Sequence, residues 1–111
     1  MATTDATPEP PEGLSGEARR WFIRVQDEHA IMDAAGLLLL GSAMEAFDRM
    51  RSAQASIKTD GETTLDRFHQ LKPHPLLNVE RDARAAMLAS LKALQLDLEP
   101  LQNGVGRPGG S

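Results

Sequence analysis

Between Asp33 and Lys58, apolar residues recur at helical intervals, and this pattern constrains the chain more than any other feature. Leu39, Ala43, Ala46, Met50, Ala53 and Ile57 follow a 4-3-4-3-4 spacing, which places them on one face of an α-helix. A neighbouring stripe holds Leu37, Leu40, Met44 and Phe47. A helix that opens at Asp33, a good N-cap residue, and runs to about Lys58 carries both stripes. Together they cover about half the circumference, wider than one intramolecular contact usually needs. Two arrangements fit. Either one stripe packs on the other helices while the stripe from Leu39 to Ile57 meets a second subunit, or both are ordinary core of a small bundle.

The flanking segments read as two more helices. Ser15 is a suitable N-cap for a helix running to about His29. Its apolar face collects Leu14, Ala18, Trp21, Phe22 and Val25, which assigns Trp21 to the core, while Arg19, Arg20 and Arg24 fall largely outside that face. After Lys58, Thr59-Asp60-Gly61 signals a turn, and Pro73 and Pro75 break a long link in which His69 and His74 read as loop residues. Pro75 suits the first turn of a third helix over about Leu76–Leu96. Leu76, Val79, Ala83, Met87, Leu91 and Leu94 share one side of it, and Glu80 and Arg84 form a favourable i,i+4 pair. The expected fold is all-α: an N-terminal helix followed by a long antiparallel helical hairpin, with disordered tails. Residues 1–12 are the expected disordered leader, 13–101 the helical domain, and 102–111 a Gly-rich flexible tail.

Composition narrows the function classes. The 111 residues suffice for one small domain. With 4% aromatics the chain is a poor candidate for a β-sandwich or barrel. The longest uninterrupted apolar runs, Leu37–Leu40 and Ala85–Ala89, are far too short to span a bilayer, so no membrane helix and no membrane partner are expected. The absence of cysteine removes disulfides and thiolate chemistry. No apolar signal segment stands at the N-terminus, which points to the cytosol. Net charge is −4, but residues 13–58 balance six bases against six acids. Within that neutral stretch the cluster Arg19, Arg20 and Arg24 is the one candidate for contact with nucleic-acid phosphates.

No catalytic residue stands out. His29 lacks a second histidine four residues on, as a helical zinc site requires, and suits a solvated helix C-terminus. The acidic pairs Asp27/Glu28 and Glu80/Asp82 read as exposed-face patterns. Neither a Gly-x-Ser-x-Gly elbow nor a Walker-type phosphate loop occurs. The chain is expected to be no enzyme and to need neither cofactor nor metal.

The order and spacing of several segments resemble the phage terminase small subunit family, in its short helical branch. Gly13-Leu14-Ser15 precedes a helix bearing Ala18 and Trp21, and Asp33 opens a long second helix after Ile31-Met32. Lys72-Pro73-His74-Pro75 leads into Leu76-Leu77-Asn78-Val79-Glu80-Arg81. The family's final helix often ends in a Leu-Gly-Leu-like stretch before a proline. Here it reads Leu94-Gln95-Leu96-Asp97-Leu98-Glu99-Pro100, with Gln95 in the glycine's place, and the family's Arg-containing tail is represented by Arg107 alone. The similarity spans roughly residues 13–101.

The resemblance implies a non-catalytic subunit of a viral DNA-packaging motor, working in the host cytoplasm. Its partners would be further copies in a ring-like homo-oligomer, double-stranded viral DNA, and the large terminase subunit that carries the ATPase and nuclease. In a ring, Arg19, Arg20 and Arg24 would repeat around one opening. A helical interaction module acting as a dimer, such as an antitoxin or transcriptional co-regulator, is the alternative.

Overall fold

The structure, a computed structural model, describes residues 7–96. Its elements in chain order are α1 (Gly16–His29), α2 (Ala34–Asp60), β1 (Thr63–Leu65), β2 (Leu71–Pro73) and α3 (Leu76–Ala93). The chain is thus mostly helical, with a small two-stranded sheet.

Local chemistry sets the helix starts. The Ser15 hydroxyl oxygen accepts from the Ala18 N–H at 3.0 Å, and Asp33 Oδ2 accepts from the Gly36 N–H at 2.9 Å. Each satisfies a backbone donor that the first turn leaves free. Ser15 is itself anchored, its hydroxyl donating to Asp48 Oδ1 at 2.6 Å and its N–H to Oδ2 at 2.7 Å. The start of α1 is thereby tied to the middle of α2.

α2 is the centre of the packing. Leu40, Ala43, Met44, Phe47 and Met50 form one cluster with Phe22 and Ala18 of α1 and Ala83 of α3, and Ala46 and Ala53 are buried along the same helix. Small side chains at Ala43 and Ala83 let neighbouring helices approach closely. The start of α3 meets the end of α2, where Gln54 Nε2 donates to Glu80 Oε2 at 3.1 Å. Leu94 and Leu96, past the end of α3, share a cleft with Gly36 and Leu39 near the start of α2. Met87, Leu91, Leu94 and Leu96 pack half-buried on the core.

Burial corrects the expected subunit interface. Ala43, Ala46, Met50 and Ala53 lie inside the single chain, and Leu39 and Ile57 are half-buried. Leu40, Met44 and Phe47 of the second stripe are buried too. Both stripes are mostly core, because α1 and α3 both pack on α2, and Leu37, Leu39 and Ile57 are left half-buried.

Three boundaries differ from expectation. α2 continues through Thr59 and Asp60, and the turn falls at Gly61, whose φ is 91°. α3 stops at Ala93 because Gln95 takes the left-handed conformation, φ 56°. Residues 7–12 of the expected leader lie along the bundle: Pro10 is buried, and a Cβ added at Gly41 would stand 3.0 Å from Pro11 Cγ. Residues 1–6 of that leader, the end of the expected domain and the tail over 102–111 lie outside the described residues.

The link over 58–75 holds a β-hairpin instead of plain loop. Thr63 pairs with Pro73, Thr64 with Lys72 and Leu65 with Leu71, antiparallel. His74, expected in a loop, is buried at 5% exposure and joins three segments. Its Nε2 lies 2.9 Å from Asp60 Oδ2, its Nδ1 accepts from the Leu76 N–H at 3.0 Å, and its N–H donates to the Glu62 carbonyl at 2.8 Å. Pro75 offers α3 no side-chain cap, and His74 supplies one from a residue earlier.

Candidate nucleic-acid interface

The buried face of α1 is narrower than its apolar residues imply. Ala18, Phe22 and Gln26, each four residues apart, point inward. Gln26 closes the turn into α2 by donating from Nε2 to the Ile31 carbonyl at 2.9 Å and to Met32 Sδ at 3.4 Å. Trp21, expected in the core, is 43% exposed, as is Ile23. The reason is that α1 packs on the bundle along one line, which Phe22 already fills.

Trp21 therefore stands among the arginines. Arg19, Arg20 and Arg24 are all exposed. Arg20, Trp21 and Arg24 are neighbours by helical spacing, and the Arg24 guanidinium carbon lies 5.8 Å from the centre of the Trp21 ring. Arg24 also pairs with Glu28, Nε to Oε2 at 3.0 Å, in a solvent-exposed i,i+4 bridge of modest strength. Among the described residues Arg19 and Arg20 make no ion pair. Arg20, Arg24 and the Trp21 ring share the side that a polyanion could meet, and Arg19 stands on the other flank of α1.

Sequence reading missed Arg51. It projects from α2 toward the start of α1, where its Nη2 lies 3.2 Å from Glu17 Oε2 and its guanidinium covers the Phe47 ring at 5.0 Å. Only the contact with Glu17, distant in sequence, brings it near the α1 cluster. Arg67, Lys72 and Arg84 lie elsewhere in the fold. Arg84 pairs with Glu80, which is turned toward α2 and not onto an exposed face as expected, and Arg67 and Lys72 are on the hairpin.

No other constellation competes. Among the described residues, no three His, Asp or Glu side chains group as they must to hold a metal ion. A cleft of about 530 Å³ between the start of α2 and the end of α3 contains His29 and Asp33, and Asp33 is committed to capping α2. No helix among the described residues is long and apolar enough to cross a membrane. No protein-family model, curated protein or solved structure gives a significant match to the chain.

Proposed function

We propose that the chain is the small, non-catalytic subunit of a viral DNA-packaging terminase. In the host cytoplasm it assembles as a homo-oligomer, engages double-stranded viral DNA, and recruits or regulates the large subunit. The architecture we read for it is an N-terminal helix laid on a long antiparallel helical hairpin. The observation that carries the reading is the outer side of α1, where Arg20 and Arg24 stand beside the exposed Trp21 and Arg19 adds a third exposed guanidinium on the other flank. Guanidinium groups at that density contact phosphates, which set position and affinity without reading sequence. One copy offers few such contacts; repetition in an oligomer raises avidity without new chemistry.

The backbone at Gln95 is a second support. Its φ of 56° lies in the region that favours glycine, at the position where the similar family carries one.

Size-exclusion chromatography with light scattering, run with and without a duplex, tests the reading. A multi-copy species that carries duplex with it at low salt is the expected result. A chain that leaves the duplex free at low salt would overturn it.

A further inference from the structure

The β1–β2 hairpin stands off the bundle. No residue from Gly61 to Pro73 is buried, and its base is tied to the helices through His74. Two strands of three residues each are marginal on their own. The tip is nonetheless built with care: Asp66 Oδ1 accepts from the Phe68 N–H at 2.7 Å and from the Gln70 N–H at 3.0 Å. This ordered turn displays largely exposed apolar groups, with Leu71 at the rim of a shallow cleft shared with Leu77. Leu65 and Leu71 face each other across the strands, on one side of the hairpin. With Phe68 they are 59%, 73% and 67% exposed. Arg67, whose guanidinium lies 5.1 Å from the Phe68 ring centre, and Lys72 flank them. The one acid between Thr63 and Pro73 is Asp66, already engaged by backbone donors.

The complementary surface lies elsewhere on the same chain. Leu37, Leu38 and Pro11 line an open cleft of about 520 Å³ above the buried Phe22. Leu38 is 73% exposed, and the charged residues of the cleft, Glu9 and Glu45, are both acidic.

We infer that the hairpin tip of one copy seats in this cleft on a second copy. Phe68 and Leu71 meet Leu38 and Pro11, and Arg67, beside Phe68 at the tip, meets Glu9 and Glu45, while Lys72 points from the opposite face of β2. The inference rests on the assembly proposed above and names its contact, replacing the α2 stripe that the fold consumes as core. Pairing tip with tip would set Arg67 of both copies side by side, whereas the cleft offers opposite charge. Each copy has one tip and one cleft, so the contact is head-to-tail and closes into a ring when the rotation between copies allows.

Light scattering on wild type, Phe68→Asp and Leu38→Asp tests this. Both positions are exposed, so the variants keep the fold, which far-UV circular dichroism checks. Wild type is expected as a multimer. Each variant should shift the assembly midpoint to at least about tenfold higher concentration, because a charge enters an apolar contact. An equimolar mixture of the two variants should give a dimer and nothing larger, since one intact tip and one intact cleft remain. Variants that keep the wild-type mass would overturn the contact and leave the DNA-binding reading standing. Monomeric variants whose mixture stays monomeric would also overturn it. A wild type that is monomeric throughout would overturn contact and assembly together, while duplex binding is read separately.

Discussion

His74 locks the end of α2 to the start of α3 through Asp60: Nε2 lies 2.9 Å from Asp60 Oδ2 while Nδ1 accepts the Leu76 N–H. With Nδ1 accepting from Leu76, the ring proton stands on Nε2 and is donated to the carboxylate. His74→Ala should cost about 2–3 kcal/mol, because it removes a buried ring and leaves the Leu76 N–H without its acceptor. Asp60→Ala, at a half-exposed side chain, should cost about 1 kcal/mol. Urea unfolding of the two variants measures the difference; equal costs would contradict the account.

Ionised Asp66 holds the hairpin tip through two backbone donors. The Gln70 N–H holds its carboxyl below the ordinary value of 3.8, aided by the Phe68 N–H and the charge of Lys72 and opposed by partial desolvation. A lowered folded value means that ionised Asp66 supports the turn above its unfolded pKa. That support is lost as pH falls through the lower folded value. The amide resonances of Phe68 and Gln70 should therefore shift together with a midpoint below 3.8. A midpoint above that value would show that the turn bonds do not form.

Gln95→Gly should stabilise the fold. A left-handed residue with a Cβ costs about 1–2 kcal/mol, and the added freedom of unfolded glycine returns about 0.5–1 kcal/mol of that. The net gain of roughly 0.5–1 kcal/mol should raise Tm by several degrees in a domain of this size. A lower Tm in a thermal melt would contradict the assignment.

Met50→Glu and Ala46→Glu should unfold the chain instead of separating copies. Both positions are buried within one chain, at 6% and 1% exposure. Placing a carboxylate there costs at least about 3 kcal/mol. Circular dichroism should show loss of the cooperative melt; a well-folded monomer would return these residues to a subunit interface.

What the sequence made legible was local. Ser15, Asp33 and Pro75 mark the three helix starts because capping and fixed-φ chemistry act within a few residues. Apolar periodicity located α2, yet it does not say how many neighbours share the helix, so core read as a possible interface. Trp21 and Phe22 are adjacent and equally apolar, and only the line of contact with α2 chooses Phe22. The hairpin escaped notice because its strands are three residues long and end in Pro73. His74 carried no local signal, since its partners Asp60 and Glu62 reach it only through the fold. Arg19, Arg20 and Arg24 are exposed, as their positions largely outside the apolar face of α1 predict; Arg51 joins their neighbourhood only through Glu17.

The central claim is that α1 grips duplex phosphates. Fluorescence anisotropy of a labelled duplex, measured at several salt concentrations, tests it with wild type and the triple variant Arg19→Ala/Arg20→Ala/Arg24→Ala. Wild-type affinity should fall steeply with salt, by about 0.9 in log–log slope for each phosphate neutralised. The triple variant should bind more weakly and with a shallower slope, by a similar factor on unrelated sequences. An unchanged affinity and an unchanged slope in a folded triple variant would contradict the claim.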